Sequence, residues 1–158
     1  MTIHFNYNKK QVIQGLRYHF FTRPEIKFLI IIINVFALLS AGLFYFKKIQ
    51  PVSFLIFSLL WLVLMVVIWS VLPASIYRRA HTFKDEFSVD FKDDGLTLSN
   101  DRGSKKWEWN LFSNFLETPY FFHLYFDARS FFLIPKDAFK DLPDMQTARS
   151  LLKEHIKA

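Results

Sequence analysis

Residues 28–46 read FLIIIINVFALLSAGLFYF. After the link Lys47-Lys48-Ile49-Gln50-Pro51, residues 52–76 read VSFLIFSLLWLVLMVVIWSVLPASI. Neither stretch carries a charged side chain. A helix rising about 1.5 Å per residue needs roughly 20 apolar residues to cross about 30 Å of hydrocarbon, and both stretches meet that length. The link is too short to fold by itself, so the pair reads as a transmembrane helical hairpin over 28–77. Asn34 is the one strongly polar group of the first stretch, placed to hydrogen-bond a neighbouring helix. Ala37, Ser40, Ala41 and Gly42 make a small-residue patch beside it. Phe44, Tyr45 and Phe46 ahead of two lysines form an aromatic belt. In the second stretch Pro73 predicts a kink near the end. With no Asp, Glu, Lys, Arg or His inside either stretch, an ion or proton path has nothing to run on.

The charge pattern agrees with that placement. The net charge is +6, and its excess sits beside the apolar stretches, on Lys9, Lys10, Arg17, Arg23, Lys27, Lys47, Lys48, Arg78 and Arg79. From Ala80 onward eleven Lys/Arg face thirteen Asp/Glu, so this part is not a basic nucleic-acid binder. Most of the flanking positive charge lies on the side that holds both termini, which predicts an inner-membrane, multi-pass protein with both termini cytoplasmic. The first apolar run starts too late, and is too long, for a signal peptide. There is no cysteine, which excludes disulfides, thiolate metal sites and a cysteine nucleophile.

Residues 1–27 read as a short strand over 2–7 and a basic amphipathic helix over 9–21 with Asn8 as its cap. Val12, Ile13, Leu16, Phe20 and Phe21 share one side of that helix. Packing on the protein's own domain and lying among lipid headgroups suit it about equally. Beyond Arg79 the apolar period shortens to two. Phe83, Phe87, Val89 and Phe91 alternate with polar residues, and turn signals stand at Asp93-Asp94-Gly95 and Asn100-Asp101-Arg102-Gly103. Strands are predicted over 115–118, 120–126 and 129–134, the last two apolar on both faces and therefore covered on both. Pro135 ends them, and a helix over 144–157 offers Met145, Ala148, Leu151, Leu152 and His155 or Ile156 as its buried stripe. The expected fold is the membrane hairpin plus an α+β domain at 80–158. That domain is a small antiparallel, partly open barrel of pleckstrin-homology-like (PH-like) pattern, closed by the C-terminal helix.

Several residues resemble a known family. They are Arg17-Tyr18-His19 before the hairpin, then Phe91, Asp94-Gly95-Leu96, Gly103, Trp107, Trp109, Glu117-Thr118, 120–125 (YFFHLY) and 134–139 (IPKDAF). In this order they resemble the YcxB-like family of small bacterial membrane proteins. The resemblance implies the architecture and the membrane location, and it brings no catalytic residues.

The search for chemistry is mostly negative. The five histidines never stand at metal-ligand spacing, and no phosphate-cradling glycine loop or nucleophile elbow is present. Glu108 and Glu117 read as a solvated strand face rather than a carboxylate pair. Trp107 and Trp109 are expected on one strand face, as core or as a partner-binding platform. Arg102, Lys105 and Lys106 cluster at a hairpin, as a solvated turn or as an anionic-headgroup contact. His123 reads as a polar group on a covered face, and the 135–139 corner as the seat of Phe139. No catalytic, cofactor or metal site is expected. The partners expected are the lipid bilayer and a membrane-associated protein, with homo-oligomers allowed and nucleic acid excluded. The function expected is a non-enzymatic membrane protein presenting a cytoplasmic PH-like binding domain. The alternative is an immunity protein that neutralises a membrane-acting or secreted bacterial toxin.

Overall fold

The computed structural model describes residues 1–156. In chain order its elements are β1 (Thr2–Phe5), α1 (Lys9–Thr22), α2 (Pro24–Tyr45), α3 (Pro51–Val66), a π-helical turn (Val67–Val71) and α4 (Leu72–Arg79). There follow β2 (Phe87–Lys92), β3 (Gly95–Asn100), β4 (Gly103–Glu108), β5 (Asn114–Glu117), β6 (Phe121–Tyr125), β7 (Phe131–Pro135) and α5 (Leu142–His155). Two compact units emerge: Met1–Gly15 together with the chain from Ala80 on, and Leu16–Arg79. The first apolar-to-polar boundary in the sequence therefore does not mark the edge of the β-rich unit, which also takes in the start of the chain.

The β-rich unit is α+β, with antiparallel sheets of order β1-β2-β3-β4 and β5-β6-β7. The sheets do not close into the partly open barrel expected from the sequence, and the run of strands is interrupted. After Glu108 the chain enters a 3-10 turn, Trp109–Leu111, whose N–H groups no longer continue the β4 ladder. Strand β1 joins the first sheet through Thr2↔Asp90, Ile3↔Val89, His4↔Ser88 and Phe5↔Phe87. Alternation then sorts the side chains. Ile3, Phe5, Phe87, Val89, Phe91 and Leu96 enter the core, while Thr2, His4, Ser88 and Asp90 do not. The same core takes Phe122, Leu124, Phe132 and Ile134 from the second sheet and Ala148, Leu152 and Ile156 from the C-terminal segment.

Asp141, rather than a residue nearer 144, caps α5 by accepting from Asp144 N at 2.9 Å, with a proline in the first turn. The predicted end of this helix at Lys157 lies outside the described residues. The opposite face of β6 and β7 is covered too, as the run FFHLY requires. Phe121, His123 and Leu133 are buried. Gly15 of α1 lies so close that a Cβ there would stand 3.0 Å from the Phe121 ring and 3.6 Å from Leu133. The first half of α1, capped by Asn8 Oδ1 on Lys10 N at 2.9 Å, thus packs on the sheet.

In the Leu16–Arg79 unit, Pro24–Tyr45 and Pro51–Arg79 are the two helical stretches long and apolar enough to cross a membrane, among the described residues. Asn34 turns one amide hydrogen back to Ile30 O at 2.8 Å and accepts from Trp61 Nε1 at 3.4 Å, the interhelical bond its place in the sequence predicts. Phe44 stacks on Phe54 at 4.5 Å near the link. Most other side chains face outward; Leu38 is 73% and Leu55 68% exposed.

Two hairpin glycines of the β-rich unit differ in a testable way. Both have strongly positive φ, +151° at Gly95 and +146° at Gly103. A Cβ at Gly95 would be driven into the Trp107 carbonyl and stand 2.9 Å from Glu108 Cα, whereas at Gly103 it would meet nothing within 4 Å. Gly103→Ala should cost roughly 1–2 kcal/mol of backbone strain. Gly95→Ala should cost roughly 2–4 kcal/mol, because the clash adds to the strain. Denaturant titration of the full chain in detergent, followed by tryptophan fluorescence, measures both; equal losses would refute the packing argument.

Candidate functional site

The basic hairpin is the first place the sequence points to. Asn100 and Gly103 flank the β3–β4 turn, and the register puts that turn at the end of the first sheet where β1 finishes at Phe5 and β2 starts at Phe87. Arg102 stands on the turn, its side chain 71% exposed, with Nη2 3.1 Å from Asp85 Oδ1. Lys106 pairs with Asp94, which holds the Asp94 carboxyl below its usual range and the lysine above its own. Lys105, one residue earlier on β4, points to the opposite face of the strand. The three cations therefore do not converge: two meet local carboxylates and the third faces away. A shallow polar groove lies at the same end, lined by His4, Asn6, Glu86, Ser88, Ser99 and Asp101 among others.

The two tryptophans part company. Trp107 stays on β4 and meets Phe126, Phe132 and Phe112 edge-on, at 5.0, 5.2 and 6.1 Å. Trp109 falls in the 3-10 turn, 6% exposed, its Nε1 donating to Asp93 O at 3.0 Å and its ring stacked on His155 at 5.3 Å. They do not share a strand face, because the strand stops between them. Both serve packing.

Glu117 is the group that the sequence pattern misplaces. On β5 it receives Arg149 of α5 in bidentate fashion, Nε at 3.0 Å and Nη2 at 2.8 Å, and Lys136 Nζ at 2.7 Å. Both cations also lie against the Phe122 ring, at 6.0 and 5.2 Å. These hydrogen bonds, that of Arg149 foremost, pull the Glu117 carboxyl down to about 2. Glu108 is unconnected with it and accepts from Asn110 Nδ2 at 3.2 Å. No short-range pattern betrays an ion pair between residues 32 apart.

His123 is fully buried, its Nε2 3.2 Å from Thr118 Oγ1. Phe139 is buried after the Lys136–Ala138 turn, against Phe122 and Phe91, as the corner predicts. His19 on α1 is buried, and that burial, helped by nearby Arg23, lowers its pKa to about 4, so it is neutral near pH 7.

The flanking cations are spread along the helices. Lys9 and Lys10 open α1, Arg23 stands 3.6 Å from Glu25, Lys27 is in the first turns of α2, Lys47 and Lys48 follow α2, and Arg78 and Arg79 end α4. Arg17 is different. Its Nε donates to Trp69 O at 3.0 Å and its guanidinium lies over the Trp69 ring at 4.7 Å. Among the described residues no group of three His, Asp or Glu stands where it could hold a metal ion.

Two apolar helices and an α+β unit define a class of small proteins with a candidate membrane hairpin. Residues 91–151, from β2 into α5, match the family model described as YcxB-like protein, the family that the sequence resembles. No curated protein and no solved structure matches the chain.

The Glu117 cluster sets a pH dependence. A carboxyl whose pKa is depressed on folding adds stability that is complete above its unfolded value, 4.5, and is lost as pH falls through about 2. Glu117→Gln should therefore cost roughly 1–2 kcal/mol at pH 7, allowing for partial exposure. The stability gap between the variant and the native chain should shrink as pH falls from 4.5 towards 2. Unfolding midpoints across that range measure it, and a gap independent of pH would remove the charge from the account.

Proposed function

We propose that the protein is a non-enzymatic integral membrane protein whose hairpin holds a PH-like binding domain at the cytoplasmic surface of the membrane. The observation that carries this reading is the β1–β2 pairing. Residues before the hairpin and residues after it share one sheet, which supports both flanks of the hairpin lying on one side of a bilayer. Outward-facing leucines, valines and phenylalanines on both apolar helices support lipid as their solvent. The excess of flanking cations on the side of the termini supports the cytoplasm as that side. Antiparallel sheets of four and three strands with one C-terminal helix support a PH-like reading of the β-rich unit.

Mechanistically, the tether does the work that affinity would otherwise have to do. A domain tethered to the bilayer meets membrane-bound partners at a high effective concentration, so weak contacts suffice. Arg102, exposed on the β3–β4 turn, is the residue of the basic hairpin put forward to meet an anionic headgroup.

Alkaline carbonate should leave the chain in the membrane pellet. A reporter active only in the cytoplasm should work at either terminus and fail when inserted between Lys48 and Ile49. Release by carbonate, or reporter activity at the link alone, would overturn the reading.

A further inference from the structure

The two legs of a hairpin cross the same slab of lipid, yet the apolar stretches are unequal. Residues 28–46 span about 28 Å as a helix, whereas 52–76 would span about 37 Å. The structure shows where the surplus lies. Asn34 faces Trp61 and Phe44 faces Phe54, and the same antiparallel pairing carried down the hairpin brings Trp69 level with residues 26–29. There the first leg meets water, since Glu25 and Lys27 are charged and cannot sit in hydrocarbon without a large cost.

The backbone changes at the same level. Pro73 has no N–H, so the carbonyl four residues back, that of Trp69, loses its α-helical donor. The chain widens into the π turn Val67–Val71, with Leu72 N–H reaching Val67 O. In hydrocarbon a lost backbone bond costs several kcal/mol. Here Trp69 O accepts from the Arg17 guanidinium at 3.0 Å instead, while Phe21 packs on the Trp69 ring at 5.5 Å. A charged guanidinium in a contact that is exposed belongs in the headgroup layer rather than in hydrocarbon.

We infer that the second leg leaves the hydrocarbon at Trp69, and that α4 is a juxtamembrane segment in the headgroup layer rather than the end of a span. The lipid-facing surface of this leg is then residues 52–69, about 27 Å long and matched to the first. Arg17 on Trp69 marks the boundary. This rests on the membrane reading, and the test separates the two.

The chain has no cysteine, so single cysteines can be placed in the full protein in lipid nanodiscs, where both faces are open to reagent. The probe is a membrane-impermeant anionic maleimide. Ala74→Cys and Ser75→Cys, about 100° apart on the helix, sample two sides of α4. Lys48→Cys reports the link and Leu59→Cys the middle of the leg. At least one α4 site should react within about tenfold of Lys48→Cys, with Leu59→Cys roughly a hundredfold slower, because charged reagent is excluded from hydrocarbon. If both α4 sites are as slow as Leu59→Cys, the boundary lies at Arg78 and the inference is overturned. If Leu59→Cys reacts as fast as Lys48→Cys, the membrane reading fails and takes the inference with it.

Discussion

The pairing of β1 with β2 is the constraint on which the architecture depends. Four residue pairs, from Thr2↔Asp90 to Phe5↔Phe87, join the start of the chain to the strand beyond the hairpin. A closed loop loses entropy only slowly as it lengthens, by about 0.6 kcal/mol per doubling, so an insert of this size between neighbouring strands is tolerable. What the pairing does restrict is geometry. Both ends of the insert must leave the same end of one sheet, and the insert must return to where it began. A two-helix hairpin has that property, because its second leg runs back along its first.

The β-rich unit has little chain with which to build a core, and it compensates with aromatic side chains. Phe5, Phe87, Trp107, Phe112, Phe126 and Phe132 meet in mostly edge-on or tilted pairs 5–6.5 Å apart. Each removes more apolar area from water per residue than an aliphatic side chain does. The Glu117–Arg149–Lys136 cluster works alongside this core. It fastens β5, the turn after β7 and α5 by bonds whose direction is fixed, where packing alone would let the helix slide.

The hairpin and most of the β-strands were legible because their signals are local. A charge-free run of helical length, an alternation of period two and an Asp-Gly turn each lie within a few residues. Asn34 was legible for the same reason: a lone amide in an apolar helix has few partners to choose from. What was not legible depends on tertiary context. Nothing near Trp109 says that the strand stops at Glu108, since Trp-Glu-Trp fits the alternation; the tryptophan's bond to Asp93 O decides it. Glu117 looked solvated because its two cations come from other elements. Pro73 announced a kink, but the π turn falls before it, and the donor that answers for the lost bond comes from a residue 52 positions away.

Leaving the sheets unclosed raises a problem that the side chains answer. An open edge offers unpaired N–H and C=O groups to any other strand. At the edge of β7, Pro135 has no N–H to offer, and the Leu133 carbonyl accepts from the hydroxyl of half-buried Tyr7 at 2.7 Å. At one edge of the first sheet, β4 puts Lys105 and Lys106 on its two faces, where an added strand would have to accept both charges. The basic hairpin therefore has a sufficient physical role before any ligand is considered. Of its three cations, Arg102 is the one that edge protection does not require, since it stands on the turn rather than along the strand.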